Sequence, residues 1–295
     1  MAMLKAALAA LALAASTPVL QEAAWTEPGA ARAHHLTHAP AECLPWRART
    51  AEAELEIELG RALFRSPALL GGPAARIGIS CHSCHLNGRA NAHFLLPELT
   101  DRAGHADVTS EWASAVRGDG IANPVVIPDL VGVRDRTAFG AARDPSLSHF
   151  IRGVIVEEFQ GPEPRAEALA ALVAYVRALD ANACPTQGET AIALADAADD
   201  VRRAVSAAKG PARSEGLLAA QAALGRIAER LPARTFARER RMLALLGGDL
   251  GQARNGVLAD DWLPRLDGLV TQLRRKEQLT YFNEATLAAA LEVHN

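Results

Sequence analysis

The sequence predicts an all-α protein in two units, and three observations carry that expectation. Hydrophobic residues make up 49% of the 295 residues while aromatics supply only 4%, so the core must come mainly from Ala, Leu and Val, which suit close-packed helices. Apolar residues recur at helical spacing along several segments. Beyond residue 185 the composition shifts to amphipathic stretches separated by Gly and Pro, which marks a second helical unit. A charged fraction of 22% with this apolar content excludes a disordered chain, and a net charge of −3 excludes a nucleic-acid binder built on a basic field. No internal apolar run reaches the ~18 residues of a membrane span.

Met1 to Ser16 reads as a secretory signal: Lys5 gives a positive start, Ala6 to Ala15 an apolar stretch, and Ala14 and Ser16 small residues before a cut near Thr17. Residues 17–40, with His34, His35 and His38, read as a flexible linker, the alternative for the histidines being metal ligands. In Thr50 to Phe64, Glu54 to Leu59 alternates like a strand, yet Leu55, Leu59 and Leu63 share a helix face and the Ala, Glu and Leu content favours helix. Gly71-Gly72-Pro73 breaks the chain, and Gly, Pro and Asp from Arg89 to Asp144 predict long loops with short helices. Ser146 is the expected N-cap of a helix burying Leu147, Phe150, Ile151 and Val154. Pro164 opens another, with Leu169, Leu172, Val173, Val176 and Leu179 on one stripe. Asp180 to Gly188 reads as the boundary between a first unit at 41–185 and a second at 186–295. In the latter, helices are expected near 190–208, 214–231, 233–246, 259–277 and 284–293. Its 15 basic and 14 acidic residues nearly balance, which leaves the preceding unit acidic.

The chemistry lies in Cys81-His82-Ser83-Cys84-His85, the attachment pattern of c-type haem. Two thiols two residues apart reach the two vinyl groups on one porphyrin edge, and the adjacent imidazole then lies beneath the ring, where it coordinates iron. Zinc would need a second ligand cluster that the sequence does not display, and a thioredoxin-like pair would need a strand-helix setting. His82, inside the motif, reads as a solvated spacer. The remaining cysteines, Cys43 and Cys184, are expected to pair in an oxidising compartment, closing a loop that stabilises the fold by at most about 5 kcal/mol.

Leu59-Gly60-Arg61-Ala62-Leu63-Phe64, followed by Ile79-Ser80 and the Cys81 motif, resembles one domain of the di-haem cytochrome c peroxidase and MauG-like family. Ile127-Pro128-Asp129-Leu130-Val131-Gly132-Val133-Arg134 and Pro145-Ser146-Leu147 resemble that family's segment after the haem motif. Leu172 to Leu179 resembles the last helix of the cytochrome c fold, which packs against the haem. The resemblance spans residues 41–185 and implies a cytochrome c-like haem domain ahead of the helical C-terminal unit. The chain departs from the family in carrying one haem motif rather than two, and Ala138 to Arg143 lacks the histidine that often follows an aromatic there.

For the distal iron ligand, the resemblance favours His105, twenty residues after His85, over His93 and Met242; His149 reads as structural. The function expected is a periplasmic or secreted mono-haem cytochrome passing single electrons to a partner with a basic docking face. The competing expectations are a peroxidase-like enzyme with an open distal site, for which Glu111 beside Trp112 is the candidate acid-base group, and a haem-based binding or sensing module docking through the tail. Arg238-Glu239-Arg240-Arg241 and Arg274-Arg275-Lys276 read as solvated helix faces.

Overall fold

In the computed structural model, which describes residues 19–45 and 50–294, helix accounts for 54% of the described residues and strand for 7%. The expected signal at Met1 to Ser16 lies outside the described residues. The chain runs α1 (Arg32–Thr37), β1 (His38–Pro40), α2 (Ala51–Phe64), α3 (Gly72–Arg76), α4 (Cys81–Cys84), β2 (His85–Leu86), β3 (Arg89–Ala90), β4 (His105–Ala106), β5 (Val125–Val126), α5 (Leu147–Gly153) and α6 (Ala166–Ala178). After β6 (Glu189–Ala191) come α7 (Leu194–Ala207), α8 (Arg213–Glu229), α9 (Ala237–Ala253), α10 (Trp262–Arg274) and α11 (Glu284–His294). Each sheet is a single antiparallel pair: β1 with β6, β2 with β3, and β4 with β5. No helix among the described residues is long and apolar enough to cross a membrane.

The helical reading of residues 50–64 wins over the strand pattern because both cap and packing favour it. Thr50 Oγ1 accepts a hydrogen bond from the Ala53 amide, and Leu59, Leu63 and Phe64 form the buried face. That face packs on α6, where Ala168, Ala171, Leu172, Tyr175 and Val176 are buried. Leu169 and Val173, expected on the buried stripe, are only half-buried. At the crossing the two backbones approach closely: a Cβ added at Gly60 would lie 1.9 Å from the Ala171 carbonyl oxygen and 2.8 Å from Tyr175 Cβ. Small residues set the crossing, and Tyr175 lies against Phe64 with ring centroids 5.2 Å apart. Ser146 caps α5 as expected, its hydroxyl accepting from the His149 amide. A π-helical turn, Val154–Glu158, follows.

One core runs from Trp25 to Leu179 and takes in Ala207, Ala212 and Ala219; a second runs from Leu194 to Phe282. Ala62 on α2 packs against both. The helix expected to stop at 246 continues through Gly247-Gly248 to Ala253. Leu246, Leu250 and Ala253 keep its buried stripe in phase, Trp262 Nε1 donates to the Leu246 carbonyl at 3.0 Å, and Gln221 Nε2 donates to that of Gly247 at 2.6 Å. These contacts outweigh about 1 kcal/mol of helix propensity lost at each glycine.

The flexible-linker reading of residues 17–40 is corrected over its described part, 19–40. Leu20, Ala23, Trp25 and Leu36 are buried, α1 packs on α11, and β1 pairs with β6 in the register His38↔Ala191. Leu20, Ala23, Ala33, Leu36, Leu287 and Leu291 form a third, small core. Its two halves lie some 250 residues apart in sequence, so no local pattern announces it. Cys43 and Cys184 are disulfide-bonded, joining the ends of the first unit across a sequence separation of 141.

The α2–α6 crossing yields a direct test. Gly60→Ala should destabilise the protein by about 3 kcal/mol in urea unfolding, since the new methyl meets backbone that cannot yield without parting the helices. An unchanged midpoint would show that the crossing is looser than described.

Candidate haem-attachment site

Cys81–Cys84 is a single helical turn. The Ser80 amide donates to Ser83 Oγ at 3.1 Å and the Ser83 amide to the Ser80 carbonyl at 3.0 Å, closing its N-terminal end. The chain then reverses through the β2–β3 hairpin, whose two loop residues are Asn87 (φ 51°) and Gly88 (φ 80°). An Asn-Gly pair accepts positive φ at both positions, which a two-residue hairpin matched to strand twist requires. A Cβ at Gly88 would meet Leu179 Cδ1 at 2.4 Å, so the turn is also seated against the end of α6. Asn91 ties the hairpin back to the motif, Nδ2 donating to the Ser83 carbonyl at 2.8 Å and its amide to that of Cys84 at 2.9 Å.

His85 is oriented from the other side. Its Nδ1 lies 3.0 Å from the Pro128 carbonyl oxygen, which only accepts, so the proton resides on Nδ1 and Nε2 carries the free lone pair. Pro128 is held in turn. The Ile127 amide donates to the Gly104 carbonyl, that of Leu130 to Gly88 and that of Gly132 to Leu179. Arg89 pairs with Asp129, and Arg136 donates to the Asp129 carbonyl at 2.7 Å. Burial lowers His85 to about 4 and pushes the Cys81 and Cys84 thiols up to about 12, so at neutral pH the imidazole is uncharged and both sulfurs are protonated. Cys81, Cys84 and His85 each keep accessible surface while Cys81 and Cys84 pack on the first core. Two protonated thiols on one turn and an adjacent neutral imidazole with Nε2 free form the donor set that covalent haem needs.

Behind the motif lies a buried ion network that the sequence did not reveal. Arg65, only 5% exposed, donates to Glu42 at 2.9 Å and to Asn87 Oδ1 at 2.7 Å, while Asn87 Nδ2 donates to the Pro40 carbonyl at 2.8 Å. Arg61 donates to Glu42 and to Asp200 of α7, each at 2.8 Å, and Tyr175 donates its hydroxyl to Glu42 at 2.7 Å. Arg226 of α8 donates to the Arg65 carbonyl at 2.8 Å. Although burial opposes its charge, Glu42 is held down at about 2 by Arg65 and Arg61, and the same arginines keep Asp200 well below the usual carboxylate range.

His82 is not the solvated spacer expected. Its Nδ1 accepts from the Asn87 amide at 3.2 Å, and burial, together with Arg65 and Arg226, lowers its pKa well below the ordinary value. It lines a cavity of about 240 Å³, together with His35, His38 and His93. His105 Nε2 accepts from Arg102 at 3.0 Å, and its Nδ1 lies 3.2 Å from the Ala103 carbonyl, so both nitrogens have local partners. His93 stacks on His35 and faces Glu27 at 3.4 Å; Met242 packs against the second core. His149 pairs with Asp144 on the surface, and Glu111 is exposed. Burial raises several carboxyls: Glu158, to about 6 with Arg117 at 3.2 Å, Glu229, to about 7, and Glu58. Of the groups missed, only the hairpin had a sequence signal, the Asn-Gly dipeptide; Glu42, Arg61, Arg65 and Asp200 look like ordinary surface charges in their local sequence. Compared with known protein families, curated proteins and solved structures, the chain matches none.

The network predicts a specific acid sensitivity. Glu42 lies at about 2 when folded against 4.5 when free, so its contribution, about 3 kcal/mol, is complete above pH 4.5 and is lost as pH falls through 2. Urea unfolding at pH 6 and pH 3 should show that loss, and Glu42→Gln should be less stable at pH 6 with a shallower slope between. An unaltered slope would place the acid sensitivity elsewhere.

Proposed function

We propose that the protein is an exported mono-haem c-type cytochrome that carries single electrons. The observation that carries this is the orientation of His85: Nδ1 is committed to the Pro128 carbonyl and Nε2 is left as a ligand atom beside the paired thiols. In this reading Cys81 and Cys84 each add S–H across a haem vinyl group, sulfur to one carbon and hydrogen to the other, with no net change in oxidation state. His85 Nε2 would be a protein ligand to its iron. When bound, the haem supplies a ferric/ferrous couple that accepts or releases one electron.

The chain's own residues fix the imidazole and hold the attachment hairpin against α2 and α6. The two helices that carry the family resemblance, α2 and α6, pack directly on one another, which supports a cytochrome c-like fold for the first unit. The Cys43–Cys184 disulfide supports an oxidising compartment, periplasmic or extracellular. His105 is the proposed distal ligand, and coordination through Nε2 requires Arg102 to move off it. The acidic character of the first unit fits a partner with a basic docking face.

The test is the optical spectrum of the dithionite-reduced protein, made in a host that attaches c-type haem, before and after carbon monoxide. Sharp α and β bands that ignore the gas support an electron carrier with a firmly held sixth ligand, and His105→Ala should then open the site. A Soret band shifted by the gas would overturn the carrier reading in favour of a peroxidase-like or sensing site. Cys81→Ala with Cys84→Ala should abolish covalent haem; absence of haem from the parent protein would overturn the reading entirely.

A further inference from the structure

We propose that His34, His38 and Glu284 form a site for a borderline divalent transition-metal ion of the zinc class, separate from the haem-attachment motif. His34 lies in the last turn of α1, His38 opens β1, and Glu284 is the first residue of α11. His34 Nδ1 is 3.2 Å and His38 Nδ1 3.7 Å from the same oxygen, Glu284 Oε2, and the donor atoms all lie within 4.8 Å of one another. The two rings stack with centroids 4.1 Å apart and planes 20° from parallel, and both Nδ1 atoms face Glu284 Oε2; coordination of one ion by both requires the rings to tilt towards each other.

The far side of His34 is also arranged for coordination. Its Nε2 faces Glu189 Oε2 at 3.4 Å, on β6 beside β1. With no ion present, His34 faces a carboxylate from each ring nitrogen; when an ion displaces the proton from Nδ1, Glu189 keeps the one on Nε2 and serves as the usual outer partner of a metal-bound imidazole. Thr37 Oγ1 lies 3.2 Å from His38 Nδ1, but it donates its proton to the Ala33 carbonyl at 2.8 Å, so it does not cap that nitrogen. Two imidazoles and a carboxylate suit zinc, and side-chain exposures of 41%, 25% and 47% leave room for water to complete the coordination. The four residues come from three separate stretches of chain. An ion there joins the N-terminal segment to α11, whose burial otherwise rests on the small third core.

Zinc chloride titrated calorimetrically into the metal-stripped full-length protein tests this. The parent should bind one more equivalent than His34→Ala, His38→Ala or Glu284→Gln, each confirmed folded by circular dichroism. Glu189→Gln should keep the site but weaken it roughly tenfold. His35→Ala is the control: its ring stacks on His93 with centroids 3.4 Å apart, and it should bind as the parent does. Zinc held by unmodified Cys81 and Cys84 thiols appears in every variant and cancels in the difference. At a hundredfold excess over Kd, zinc should raise the thermal midpoint of the parent by about 5 °C more than that of Glu284→Gln. Equal stoichiometry and affinity in the parent and the His34, His38 and Glu284 variants would overturn the proposal, as would equal loss in His35→Ala.

Discussion

Arg65 is the residue through which the parts of this protein are made to agree. Its guanidinium is removed from water, and an unpaired buried charge costs several kcal/mol, so every group that compensates it is placed under constraint. Glu42, one residue before the disulfide, must turn inward; Asn87 must present Oδ1 from the tip of the attachment hairpin. Through Arg61, Asp200 of α7 joins the same network, and Arg226 of α8 donates to the Arg65 carbonyl. The first unit, the Cys81–Cys84 turn and the second unit thus meet at one point. Such a network is not a source of large net stability, because desolvation offsets most of the attraction. What it supplies is a single arrangement: removal of Glu42 takes from Arg65 its nearest carboxylate and from Arg61 one of its two close ones.

The orientation of His85 follows from a second set of constraints that is mostly backbone. The Ile127–Gly132 stretch has little regular structure of its own, yet its amides donate to Gly104, Gly88 and Leu179, and Arg89 and Arg136 hold Asp129. A loop pinned at so many points behaves as a rigid wall, which is what an imidazole needs if its ligand nitrogen is to keep a fixed direction. Leu179 and Gly88 appear in both descriptions, so the end of α6 supports the hairpin and the loop together. The N-terminal segment closes the molecule in another way, linking α1 and β1 to β6 and α11 through a modest apolar core and a group of histidines and carboxylates.

Much of this was legible in the order of residues. The helices of the second unit follow from periodicity, α2 from the shared face of Leu55, Leu59 and Leu63, α5 from its Ser146 cap, and the Cys81-x-x-Cys84-His85 motif from its spacing, because these depend on residues within a turn or two of one another. Pairing of Cys43 with Cys184 followed from counting cysteines. The role of residues 19–40 was not legible: their partners lie on α11 and β6, and Ala-rich sequence with scattered histidines looks the same whether it packs or not. The same holds for α9, where Gly247-Gly248 signals a stop that Leu250 and Ala253 override by burial.

The sequence by itself determined that this is a helical protein carrying a thiol-thiol-imidazole motif, because hydrophobic period and motif spacing are local properties of a chain. Only the tertiary structure decided which nitrogen of His85 is free, that His82 is enclosed rather than solvated, and that Arg65 is a buried anchor rather than a surface cation. Those outcomes depend on a carbonyl 43 residues away, on charges from α7 and α8, and on desolvation. Each is set by distances in space that no window along the sequence contains.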